Sequence, residues 1–155
     1  NIILLKHQDR KLWNQSLIEK GNEFLNASSS GDVLSEYHLE AAIAACHAQA
    51  SSFESTDWKK ILKFYELLSS IKSDPFVEMN KAIVLGLAES PGKGLDALKG
   101  IVGLENNSIY HAAVGDFLHQ LKNTAEAKLY YTKAIGLTKS KSEIELLQEK
   151  ITSLV

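Results

Sequence analysis

The sequence predicts an all-α fold: a right-handed stack of antiparallel helix pairs with an opening helix and a capping helix. Three observations predict it. Apolar residues recur at helical spacing along most of the chain, no alternating β-branched run appears, and the only two prolines, Pro75 and Pro91, each follow a helix-capping residue. At 155 residues and 45% apolar content, the chain is long enough for one domain with a continuous core.

The elements follow in order. An opening helix is expected over about 9–27, where Leu12, Trp13, Leu17, Phe24 and Leu25 form a broad apolar stripe that stops at Ala27-Ser28-Ser29-Ser30-Gly31. Ser35 caps a first pair over about 35–71, whose first helix contains the alanine-rich run from Leu39 to Ala48. Such small side chains let neighbouring helices approach closely. Thr56 or Asp57 starts the second helix of that pair. Asp74-Pro75 and Ser90-Pro91 start the two helices of a pair over about 75–103. A third pair spans about 107–138, with Asn123 and Glu126 in capping-box spacing, and Ser140 with Glu143 opens a cap over about 141–154. Ile144, Leu147, Ile151 and Leu154 give that last helix one apolar stripe, backed by Glu145, Gln148, Glu149 and Thr152.

An internal period ties the pairs together. Ile61, Gly94 and Ala127 lie 33 residues apart, Tyr65, Leu98 and Tyr131 follow four residues later, and Leu68, Ile101 and Ala134 three after that. The first helices join the pattern through Ala82 with Gly115 and Leu85 with Leu118. This pattern resembles the tetratricopeptide repeat, which places a small residue on each helix of a pair and an aromatic one turn later. The best match is 108–141, with Gly115, Ala127, Tyr131 and Ala134 in place and His111 where a large aromatic is usual.

Composition excludes several function classes. The formal charge of −2 comes from 17 basic and 19 acidic residues mixed along the chain, which argues against nucleic-acid binding by this chain alone. The single cysteine, Cys46, forbids an intramolecular disulfide and fits a reducing cytoplasm. The opening run Ile2-Ile3-Leu4-Leu5 is far short of the ~20 apolar residues a membrane span requires. Asn1 stands first and Met79 is the only methionine, so a fragment of a longer protein is expected. Gly92-Lys93-Gly94 lacks the strand and spacing of a phosphate-cradling loop.

A family resemblance rests on segments spread over nearly the whole chain. They are Leu4-Leu5 with Gln8-Asp9-Arg10 and Trp13, the run from Tyr37 to Ala48, Thr56-Asp57-Trp58, the run from Val77 to Ala82, and Tyr110-His111-Ala112-Ala113 leading to Asp116, Leu118 and Glu126-Ala127. In order and spacing they resemble the helical, tetratricopeptide-like carboxy-terminal extension of a subgroup of extracytoplasmic-function (ECF) RNA polymerase sigma factors. The resemblance implies a cytoplasmic regulatory domain that modulates transcription initiation by contact with the preceding sigma regions, the polymerase or a signalling protein. The sequence departs from that family at Lys6-His7, at Val114, where arginine is common, and at Lys122-Asn123, where a glycine turn is common.

The candidate contact residues are Asp9, Arg10, Trp13, Glu78, Lys81, His111 and Asp116, the last four taken as exposed on the first helices of their pairs. Arg10 suits a bidentate carboxylate partner and Trp13 an interface anchor; the plainer alternative is that Asp9 caps a helix and Trp13 fills core. His38, Cys46 and His47 invite a metal reading, but neighbouring helical residues point about 100° apart, so Cys46 and His47 share no face. Alanine-rich surroundings favour an inert thiol at Cys46. His111 reads as repeat packing or a tautomer-fixed core histidine. The short basic clusters Lys59-Lys60 with Lys63, and Lys139 with Lys141, read as solvated helix faces. No enzyme activity, cofactor or metal is expected. Two alternatives stand beside the contact reading: a small-ligand sensor with a pocket near Trp13, Trp58 and His47, and a separately encoded effector of a sigma factor.

Overall fold

The computed structural model describes residues 3–16, 18, 19, 22 and 35–154. Those residues form helices and connections without a strand, so the fold is all-α. Among them no helix is long and apolar enough to cross a membrane. The chain divides into two compact units, Ile3–Val77 and Glu78–Val155.

The unit Ile3–Val77 begins with two 3₁₀ turns, Leu5–His7 and Arg10–Leu12. The expected opening helix is therefore interrupted: Asp9 accepts a hydrogen bond from the Lys11 N–H at 3.0 Å, the turn ends at Trp13, and α-helical residues appear only after Asn14, at 15, 16, 18, 19 and 22. An acidic side chain bonded to the backbone two residues on favours a turn over a helix. Leu12, expected on the buried stripe, is 84% exposed. Leu17, Phe24 and Leu25 lie outside the described residues.

Helix α1 spans Glu36–Gln49 and α2 spans Trp58–Ile71. Ser35 and His38 cap α1: His38 Nδ1 accepts from the Ser35 N–H at 3.3 Å and lies 2.7 Å from its hydroxyl. Asp57 caps α2 by accepting from the Lys60 N–H at 3.0 Å. The two helices pack together, burying Ile43, Cys46, Ile61 and Leu62, with Leu39, Leu68 and Val77 closing a cluster against Phe64 and Tyr65. Burial pushes the Cys46 thiol above its usual range; Asp57 adds to this and Lys60 opposes it.

Helix α3 spans Pro75–Ala88 and contains the boundary between the units. The unit Glu78–Val155 continues with α4 (Pro91–Lys99), α5 (Ser108–Gln120), α6 (Thr124–Leu137) and α7 (Lys141–Thr152). Ser90, Asn123 and Ser140 accept from the backbone N–H groups of Lys93, Glu126 and Glu143, which fixes three helix starts. Helix α4 packs on α5, α5 on α6, and α6 on α7.

The core of this unit runs from Met79 and Ala82 through Leu98, Val114, Phe117 and Leu118 to Tyr131, Ala134 and Leu147. Two seams of small residues let its helices meet. A Cβ on Gly94 would stand 2.6 Å from the Gly86 backbone and 2.8 Å from the Phe117 ring, so α3 and α4 touch through glycines with Phe117 laid across them. A Cβ on Gly115 would stand 2.6 Å from the Tyr131 ring, so α5 yields its surface to that aromatic. The turn after α5 places Lys122 at φ 62°, the left-handed region that glycine tolerates at no steric cost. The Asn123 N–H donates to the Leu118 carbonyl at 2.9 Å, as a helix C-cap requires.

Candidate functional site

In the unit Ile3–Val77 the sequence-selected residues Asp9, Arg10 and Trp13 sit on the lead-in segment. The Asp9 turn sets the direction of Arg10, whose side chain is 6% exposed. Its Nη1 donates to the His47 carbonyl and, at 2.9 Å, to the Ala50 carbonyl; its Nη2 donates to Thr56 Oγ1 at 3.3 Å. His47 lies in the last turn of α1 and Ala50 is its C-cap, so the guanidinium satisfies carbonyls that the helix end leaves open. Thr56 is itself buried and donates to the Ser52 carbonyl at 3.1 Å. The partner expected for Arg10 was a carboxylate; the structure supplies two carbonyls and a hydroxyl, because the α1 C-terminus carries partial negative charge without a carboxylate.

Aromatic rings surround this latch. The Arg10 guanidinium carbon lies 5.1 Å from the centre of the Trp13 ring, a cation–π arrangement. His47 meets Trp58 edge to face at 5.4 Å, and Phe53 lies 4.9 Å from Trp58. Arg10 Nε and His47 Nδ1 are buried without a hydrogen-bond partner among the described residues. Burial first, then the nearby Arg10 charge, holds the His47 ring below the usual histidine range, so it is neutral at pH 7.

The candidates in the unit Glu78–Val155 fall in three places. Glu78 and Lys81, one helical turn apart on α3, pair at 2.5 Å and are partly exposed. Asp116 is partly exposed but engaged: it accepts from the Tyr131 hydroxyl at 2.7 Å and from Lys150 Nζ at 2.5 and 2.7 Å. Lys150 also lies 5.6 Å from the Tyr131 ring centre, so the three side chains tie α7 to the α5–α6 pair. Burial and the Asp116 carboxylate push the Tyr131 phenol far above its ordinary range. His111, expected on an exposed face, is only 2% exposed, because the small residues of α5 draw its helix against the core. Its Nε2–H donates to the Glu105 carbonyl at 2.8 Å, while Nδ1 is buried without a partner among the described residues. The ring stands between Tyr110, at 5.1 Å, and Tyr130, at 5.8 Å.

The structure therefore brings Arg10, Trp13, His47 and Trp58 into one cluster and leaves Glu78, His111 and Asp116 as separate features of the other unit. Sequence reasoning missed Thr56 as the Arg10 partner and Lys150 as the Asp116 partner. A lone arginine before tryptophan without a carboxylate at helical spacing was the available signal for the first. For the second, a lysine on the apolar-striped last helix gave no signal.

Comparison with known proteins adds one relative. An uncharacterized protein of Rhizobium meliloti (strain 1021) is 30% identical over 154 residues, covering 99% of this chain and 36% of that protein. The chain thus spans about a third of the length of the relative it matches. No family model matches the sequence, and no solved structure matches the fold.

Proposed function

We propose that this chain is a regulatory protein-binding domain, a right-handed solenoid of tetratricopeptide-like pairs, acting as the carboxy-terminal extension of an ECF sigma factor. It modulates transcription initiation in the cytoplasm by contact with the preceding sigma regions, the polymerase or a signalling protein. The observation that carries the reading is the coincidence of the 33-residue period with the packing. Ile61, Leu98, Ala127, Tyr131 and Ala134 are all at most 1% exposed, and Gly115 lies under the Tyr131 ring. A repeat whose conserved spacing marks helix contacts leaves its outer faces free to vary for recognition. The sigma assignment rests on the resemblance of the Gln8-Asp9-Arg10, Tyr37–Ala48 and Tyr110–Ala113 segments.

In this reading Arg10 positions a contact surface rather than forming one. Its latch holds the lead-in turn so that Lys11 and Leu12, both exposed, face outward beside Trp13. A titration of the domain against the purified sigma regions that precede this extension in the resembling family tests it. Saturable one-to-one binding is expected, weakened about tenfold or more by Leu12→Asp with the helical content unchanged. Absence of binding at high micromolar concentration contradicts contact with the sigma regions.

A second reading, a small-ligand sensor, is favoured by one observation: Arg10 Nε and His47 Nδ1, buried without a partner among the described residues, belong to the cluster of Trp13, Phe53 and Trp58 rings. It predicts metabolite-dependent stabilisation of the isolated domain, read through the two tryptophans.

A further inference from the structure

Helix α7 ends the unit Glu78–Val155 and rests on it through few residues. Among the residues of α7, Leu147 alone is buried, at 4% exposure, while Ile151 and the following Leu154 pack only partly buried against the core. Its polar tie to α5 is Lys150, whose Nζ reaches both carboxylate oxygens of Asp116, at 2.5 and 2.7 Å. A terminal element with so few buried contacts opens at a lower free energy than the core it covers.

The surface beneath α7 is built from contacts that do not involve α7. Helices α5 and α6 meet where Gly115 lies under the Tyr131 ring, and Ser108 Oγ donates to the Ala134 carbonyl at 3.0 Å. Helix α4 packs on α5 as well. The Tyr131 hydroxyl donates to Asp116 Oδ1 at 2.7 Å, which holds the carboxylate in place whether or not Lys150 is present. Oδ2 is engaged by Lys150, and the same ammonium lies 5.6 Å from the centre of the Tyr131 ring. Carboxylate and ring face together select a cation.

We propose that the α5–α6 face beneath α7 is a docking seat for an amphipathic helix of a protein partner, which enters by displacing α7. The resident helix spells out the pattern the seat recognises: apolar residues at Ile144, Leu147 and Ile151 and a cation at Lys150, one helical stripe with a basic residue beside it. A partner helix with that spacing lays its apolar stripe on the core beside Tyr131 and gives its lysine or arginine to Asp116. In the free chain α7 competes for the seat, so the partner's apparent affinity scales with the fraction in which α7 is open. The seat belongs to Glu78–Val155 and is independent of the Leu12 surface.

The probe is a fluorescein-labelled peptide of residues 139–155, titrated with the whole chain and followed by anisotropy. Leu147→Ala combined with Lys150→Gln weakens the resident helix and leaves the seat untouched. Saturable one-to-one binding to that chain is expected at a Kd on the order of 100 μM, about tenfold or more tighter than to the wild type. Adding Asp116→Asn should weaken the probe about tenfold, as should Lys150→Gln placed in the probe itself. Native-state hydrogen exchange on the wild type gives a reading that needs no variant: the α7 amides should exchange through an opening that leaves α5 and α6 protected. Three results overturn the proposal: a probe affinity for the α7 variant no tighter than for the wild type, an affinity that Asp116→Asn leaves unchanged, or a single opening in which α6 and α7 exchange together.

Discussion

The two units of this molecule hold themselves together by different devices. In Glu78–Val155 the helices meet through small residues, Gly86 with Gly94 and Gly115 beneath Tyr131, and each large ring fills the space that a missing side chain leaves. In Ile3–Val77 the decisive contact is polar and irregular: one arginine on a 3₁₀ turn reaches the open carbonyls at the end of α1. The first device lies partly in a repeated spacing, at Gly94, Gly115 and Tyr131. The second depends on one guanidinium and on the turn that aims it. The lesson is that an irregular lead-in turn is held in place when a charged side chain satisfies the backbone groups that a helix end leaves open.

Substitutions sharpen this contrast, beginning with the largest expected effect. Tyr131→Ala removes a ring that is 1% exposed and the hydroxyl that Asp116 accepts from, so a loss of about 3–5 kcal/mol is expected in denaturant unfolding followed by circular dichroism. Arg10→Met keeps the apolar stem but strips the donors from the His47 and Ala50 carbonyls. A loss of about 2 kcal/mol is expected, with a shift in tryptophan emission because Trp13 and Trp58 both lie in Ile3–Val77. Gly115→Ala pushes a methyl into the Tyr131 ring and should cost about 1–3 kcal/mol; a neutral result would show that the α5–α6 seam has slack. Lys122→Gly should instead stabilise, by about 0.5–1 kcal/mol, since glycine occupies φ 62° without strain.

Titration separates the units at opposite ends of the pH scale. The Tyr131 phenol is held above its ordinary value near 10, so above that pH the unfolded chain releases a proton that the folded unit retains, and stability falls as pH rises. His47 is held below its ordinary value near 6.5, so below that pH the unfolded chain binds a proton that the folded unit resists, and stability falls as pH falls. Alkaline loss should therefore be smaller in Tyr131→Phe, and acid loss smaller in a variant that replaces His47 with Gln. The same loss in both variants at both ends would erase the distinction.

The same contrast explains what the sequence made legible. Periodic packing positions are readable because their spacing repeats: register alone marks Leu98, Ala127 and Ala134, and each is 0% exposed. Helix starts were readable at Asp57, Ser90, Asn123 and Ser140, because a side-chain acceptor three residues before a free N–H is a local event. Arg10 was visible as important, yet its target lies 37 and 40 residues away in backbone carbonyls, which carry no sequence signature. Gly86 with Phe117 escaped notice for a related reason, since their contact joins different pairs and falls outside the repeated register. His111 is legible as a singular position in the repeat but its depth is not, because the smallness of Gly115 and Ala112 decides how deeply α5 sinks.

Native-state hydrogen exchange on the wild type and Arg10→Met tests the account most directly. The latch predicts lost protection at the Leu12 and Trp13 amides and in the last turn of α1, with the amides of α5 and α6 unchanged. Unchanged exchange at the α1 C-terminus, or a uniform loss through α5 and α6, would contradict the claim that a single arginine holds the lead-in segment while small-residue seams hold the rest.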